Sequence, residues 1–98
     1  MEAFVEVREP DQLRLSGDLR FATVVAIRER LEQLIATGSP TCVVDFSAVK
    51  SADSSALSLW LCCRREAQRQ GVVLEAREVP AELMSVARLV GLEHIFPA

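Results

Sequence analysis

Ninety-eight residues, half of them apolar and only four of them glycine, fit one folded domain (1–98) and exclude a disordered chain. A formal net charge of −3, with no basic stripe, gives no footprint for nucleic acid. No apolar run approaches the ~20 residues of a membrane span, and Met1-Glu2-Ala3-Phe4 lacks a signal-peptide start, so a cytoplasmic chain without direct membrane insertion is expected.

Phe4 to Arg8 and Leu13 to Ser16 alternate in strand fashion, and Pro10-Asp11 between them predicts a hairpin turn. Ser16-Gly17-Asp18 is expected to break the second strand. A helix follows from about Ala22 to Thr37, with Val24, Ile27, Leu31, Leu34 and Ile35 on one side. Gly38-Ser39-Pro40 stops it. Thr41 to Phe46 is a short apolar run that suits a central strand. It is expected to end in acid and hydroxyl residues and cross a short turn to a second helix over about Ser54 to Gln70. After Gly71, Val72 to Ala76 reads as a fourth strand. Pro80-Ala81-Glu82 opens a third helix with a Leu83, Val86, Ala87 and Val90 stripe, ended by Gly91. Leu92, Ile95 and Phe96 look like a tail packed back on the core. The order β-β-α-β-α-β-α predicts an α/β sandwich, with helices mostly on one face of the sheet.

The second helix has two kinds of face. At about 100° per residue, Ala56, Leu59, Trp60, Cys63 and Ala67 share one side, which is the core side. The other side carries Ser54, Ser58, Leu61, Cys62, Arg65 and Arg69, and charge begins only at Arg64. A wide core stripe flanked by Leu57 and Leu61 would explain this. So would a docking surface in which small residues permit close approach, Leu57 and Leu61 supply apolar contact, and Arg65 and Arg69 form a rim.

Asp53 or Ser54 caps that helix by accepting an N–H bond worth about 1 kcal/mol. A helix N-terminus also favours anions, yet Asp53 would repel a phosphate on Ser54. Phosphorylation there would put a hydrated dianion into the docking face and should break a complex rather than build one.

Nothing completes a catalytic set. His94, the only histidine, falls in the final tail with no evident partner for Ser54 or Cys62. Turn-forming and capping roles account for Asp45 and Asp53. There is no glycine-rich phosphate loop, and one histidine with three cysteines leaves a zinc site short of ligands. Cys62 and Cys63 are adjacent on a helix, where an internal disulfide would be strained. Cys42 and Cys63 read as small core residues. No cofactor or metal is expected.

Asp45-Phe46-Ser47, Val49 and Asp53-Ser54-Ser55-Ala56-Leu57 together resemble the signature of STAS domains, the fold of bacterial anti-sigma factor antagonists. The likeness spans essentially the whole chain and implies a four-stranded mixed sheet in the order ββαβαβα. Leu57-Ser58-Leu59-Trp60-Leu61 followed by Arg64-Arg65, and Val79 to Leu83 through Ala87 to Leu92, are similar to the MlaB-like type. That resemblance implies a non-enzymatic subunit, peripheral to the inner membrane. It would bind the MlaF-like ATPase of a phospholipid-transporting ABC complex with a membrane permease, support its assembly and activity, and so maintain outer-membrane lipid asymmetry. It also singles out Ser54, the hydroxyl residue directly after the motif Asp, with Ser55 beside it; joined to the docking face of the second helix, this gives a partner-binding set of Asp53, Ser54, Ser55, Leu57, Ser58, Leu61, Cys62 and Arg65. The alternative is an antagonist bound by an anti-sigma factor kinase and switched by phosphorylation of Ser54. Ala56 and Ser58 stand where antagonists commonly carry glycine, which weakens that reading.

Overall fold

The computed structural model describes residues 2–96. Two strands, β1 (Ala3–Glu9) and β2 (Gln12–Leu19), form a hairpin, followed by helix α1 (Phe21–Thr37) and strand β3 (Thr41–Ala52). Then come α2 (Ser54–Gln70), β4 (Val73–Arg77), α3 (Ala81–Leu89) and a short 3-10 turn, Glu93–Ile95. The sheet order is β1-β2-β3-β4, with β1 antiparallel to β2 and the other two pairings parallel. The expected mixed sheet with three helices, in the order ββαβαβα, is what forms.

One face of the sheet is buried. Leu13, Leu15 and Leu19 of β2, Cys42, Val44 and Phe46 of β3, and Ala76 of β4 point into the core beneath the helices. From α1 come Val24, Ile27, Leu31 and Ile35; from α2, Ala56, Leu59, Trp60, Cys63 and Ala67; from α3, Leu83 and Ala87. The alternate residues Gln12, Arg14, Val43 and Asp45 are only half-buried, so the second face stays open. Val90, expected in the α3 stripe, lies just past the end of the helix and is exposed.

The C-terminal segment packs back as its apolar residues predict. Ile95 and Phe96 are buried, and the Trp60 ring stacks on Phe96 with centroids 5.6 Å apart. Trp60 Nε1 donates to the Ile95 carbonyl, which satisfies a buried indole and ties this segment to α2.

Two boundaries differ from expectation. The second strand does not break at Ser16-Gly17-Asp18 but continues to Leu19. Gly17 takes φ of 89°, and an added Cβ would collide with the Glu2 carbonyl oxygen, so glycine lets the strand run on beside the N-terminal segment. The third strand reaches Ala52 rather than ending near Phe46. Arg14 to Ser16 spans two steps of β2 against three from Asp45 to Ala48, and Gly17 to Asp18 spans one against two from Val49 to Ser51. Two extra residues are thus accommodated as bulges, and pairing with β2 persists to Leu19–Ala52. At the first bulge Asp45 Oδ1 accepts from the Ser47 N–H at 2.9 Å, so Asp45 acts within the strand rather than in a turn.

Candidate functional site

Because β2 and β3 are parallel, the helices that follow them begin at the same end of the sheet. That end is knitted together. Ser51 Oγ donates to Asp18 Oδ1 at 2.6 Å, and Arg20 Nε reaches Ser51 Oγ at 3.3 Å. The Arg20 N–H donates to Thr23 Oγ1 at 2.9 Å in the first turn of α1, and the Thr23 hydroxyl donates to the Asp18 carbonyl. Asp53 is the residue that caps α2: its Oδ1 accepts from the Ser55 N–H at 2.8 Å. Ser54 stands beside it, exposed.

Between the first turns of α1 and α2 runs a groove of about 310 Å³. Val24 and Leu59 form its buried floor. Phe21, Val25 and Arg28 stand along the α1 side, and Ser55, Ser58 and Cys62 along the α2 side. Phe21 is 73% exposed and Val25 is 64% exposed, two apolar side chains one helical turn apart on the same wall of the groove. Of the α2 residues expected to meet a partner, Ser55, Ser58 and Cys62 line this groove, and Asp53 and Ser54 lie at the start of the helix beside it. Arg65 is exposed one turn further on.

Leu57 requires a correction. It is 6% exposed and belongs to the core, so it offers no surface to another chain. Its angular position puts it on the flank of α2 opposite Ser55 and Cys62, and α3 packs against α2. Leu61 lies on the same flank, half-buried and packed against the core. The expected anchors are therefore covered by the chain itself. At the groove the exposed apolar groups are Phe21 and Val25 of α1, neither of which the sequence pattern of α2 points to. A signal was present: Phe21 to Ile27 is seven residues without a charge, ending at Arg28.

The remaining reactive groups lie apart from this groove or are masked. Burial first, and the charge of Asp11 second, push the Cys42 thiol up to about 11. Burial pushes the Cys63 thiol further in the same direction, with Glu32 adding to it. Both are poor nucleophiles at neutral pH. His94 is exposed in the turn after α3. Among the described residues, no group of three or more His, Cys, Asp or Glu side chains is placed to hold a metal ion, and no helix is long and apolar enough to cross a membrane.

A protein-family model described as "Mlab, STAS domain" matches residues 3–97. The chain belongs to this STAS family. No curated protein matches it in sequence. Among solved structures, the anti-sigma factor antagonist SpoIIAA in its unphosphorylated form superimposes with a TM-score of 0.74 at 20% identity, covering 97% of this chain and 85% of that one. The phosphorylated form of SpoIIAA, described as a Bacillus cell fate determinant, gives 0.70 at 19% identity, with 97% and 88% covered. An anti-sigma-factor antagonist (STAS) domain protein from Planctomyces limnophilus gives 0.75 at 15% identity, with 99% and 88% covered. At these identities the STAS fold is what the likeness carries. The STAS family is generally non-enzymatic.

Proposed function

We propose that this STAS domain is a non-enzymatic, MlaB-like subunit that docks on the ATPase of a phospholipid-transporting ABC complex. In this reading it works in the cytoplasm, held at the inner membrane through the ATPase and its permease. It supports assembly and activity of a complex that maintains outer-membrane lipid asymmetry. One observation carries the docking: the uncharged first turns of α1 and α2 meet in an apolar groove that leaves Phe21 and Val25 in water, in a chain matched by the Mlab family model over 3–97. Small side chains at Ser55 and Ser58 leave room for a partner to approach α2 closely, and Phe21 supplies an aromatic anchor of the kind interfaces favour. If ATP is used, the partner holds it.

Co-expression tests this. The tagged chain should retain the transporter's ATPase subunit, and Ser54→Arg and Ser58→Arg should each abolish retention while remaining folded, since both positions are exposed. Retention by both variants at the wild-type level would defeat the docking reading.

The exposed Ser54 at the helix start keeps a second reading in play, a phosphorylation-switched antagonist of an anti-sigma factor. Its test is the intact mass of the protein from its native host. A stoichiometric phosphate on Ser54, with a kinase-like anti-sigma factor in the pulldown, would replace the transporter reading.

A further inference from the structure

The junction that presents Asp53, Ser54 and Ser55 is held from both sides by different means. On the β2 side the Asp53 N–H donates to the Leu19 carbonyl at 3.1 Å, ordinary strand pairing. The adjacent Ala52 N–H points to the opposite edge of β3. No strand is there to receive it, because β4 ends at Arg77, opposite Asp45. The last seven residues of β3 therefore extend past the end of their neighbour. Ala52 is 2% exposed, so a lost N–H partner there is not readily replaced by water. Its partner is a side chain from α3: Glu82 Oε1 accepts from the Ala52 N–H at 2.9 Å.

We propose that Glu82 is a positioning residue for the docking rim. From the first turn of α3, its carboxylate fixes the end of β3 and thereby the start of α2. Glu82 is 30 residues distant in sequence and need not touch a partner to act. Its bond to Ala52 lies one residue before the Asp53 cap, so loosening it frees the backbone that aims Ser54 and Ser55. The charge of Glu82 also suits the N-terminus of its own helix, so removing the side chain perturbs two things at once. Gln separates them, because its side-chain oxygen still accepts from Ala52 while the charge is gone.

The binding consequence rests on the docking reading, so the experiment has two arms. Amide hydrogen exchange on the isolated chain should show Ala52 protected in wild type. Glu82→Ala should deprotect Ala52 and speed exchange at Ser55, and Glu82→Gln should restore both. Affinity for the purified ATPase subunit should fall roughly tenfold in Glu82→Ala and return in Glu82→Gln. An unchanged Ala52 exchange rate in Glu82→Ala overturns the proposal without reference to any partner. Deprotection with undiminished ATPase affinity overturns the positioning role. A wild-type chain that fails to bind the ATPase defeats the docking reading instead, and the exchange arm still decides whether Glu82 holds the junction.

Discussion

The Asp53 carboxylate already serves the helix it starts, so its removal acts on folding before it acts on any partner. Asp53→Ala should cost about 1 kcal/mol, which in a chain of this size lowers Tm by about 4–8 °C. Leu57→Ala should cost about 2–5 kcal/mol, as a core truncation does, whereas Phe21→Ala should stay within about 0.5 kcal/mol because the ring is largely in water. Thermal melts rank the three, and a Phe21→Ala loss comparable to that of Leu57→Ala would mean the ring packs against its own chain. The thiols make a separate prediction. Cys42 and Cys63 hold their protons to higher pH in the fold than in the unfolded chain, where the ordinary thiol value is near 9.0. A raised folded value contributes stability that is fully present below about pH 9 and is lost as pH rises toward about 11. Urea midpoints should therefore decline across that window, and Cys63→Ala should be less stable at pH 7 yet show a shallower decline. Equal slopes for the two proteins would contradict this account.

Elements divide into those whose pattern is local and those that depend on a neighbour. The helices are local: α2 forms over Ser54–Gln70 as its sequence predicts, with Gly71 in the left-handed conformation that ends it. The length of β3 is not local. Ser47 to Ala52 lacks the apolar run of a central strand, and its strand form depends on two bulges that keep pace with β2. The ends of β2 and β3 were therefore illegible, although the strands themselves were plain. The open face of the sheet carries another non-local arrangement. Glu6 lies opposite Arg14, Arg14 opposite Asp45, and Asp45 opposite Arg77, so charge alternates in sign across all four strands. Cross-strand pairs of this kind contribute about 0.2–1 kcal/mol each. Arg14→Glu would set three acids side by side, so its destabilisation should exceed that of Arg14→Gln and shrink in high salt. Equal losses for the two variants, unaffected by salt, would show that the row is without energetic weight.

Across the whole molecule, the uncharged starts of two helices are what place the candidate site. Both crossover helices begin uncharged, Phe21 to Ile27 and Ser54 to Cys63, and charge follows only afterwards, with Arg28, Glu29, Arg30 and Glu32 in the middle of one and Arg64, Arg65, Glu66 and Arg69 in the second half of the other. The sequence displays this asymmetry plainly in α2. The matching stretch of α1 is not distinctive in sequence, because its residues also fit a core stripe. Only the parallel pairing of β2 with β3 brings the two starts to the same end. The site is therefore a product of topology, half legible in one helix and completed by another. A pair of charge insertions on one stripe of α1 tests the asymmetry directly. Val25 and Gln33 are both exposed and eight residues apart, about 12 Å along the helix at 1.5 Å per residue. Val25→Glu should reduce ATPase retention at least tenfold, because it places an unpaired charge on the groove wall that a partner would have to desolvate. Gln33→Glu adds the same charge beyond the apolar end and should leave retention unchanged, with both melts near wild type. If the two variants lose the partner equally, charge at one end of the fold is not what selects the docking surface.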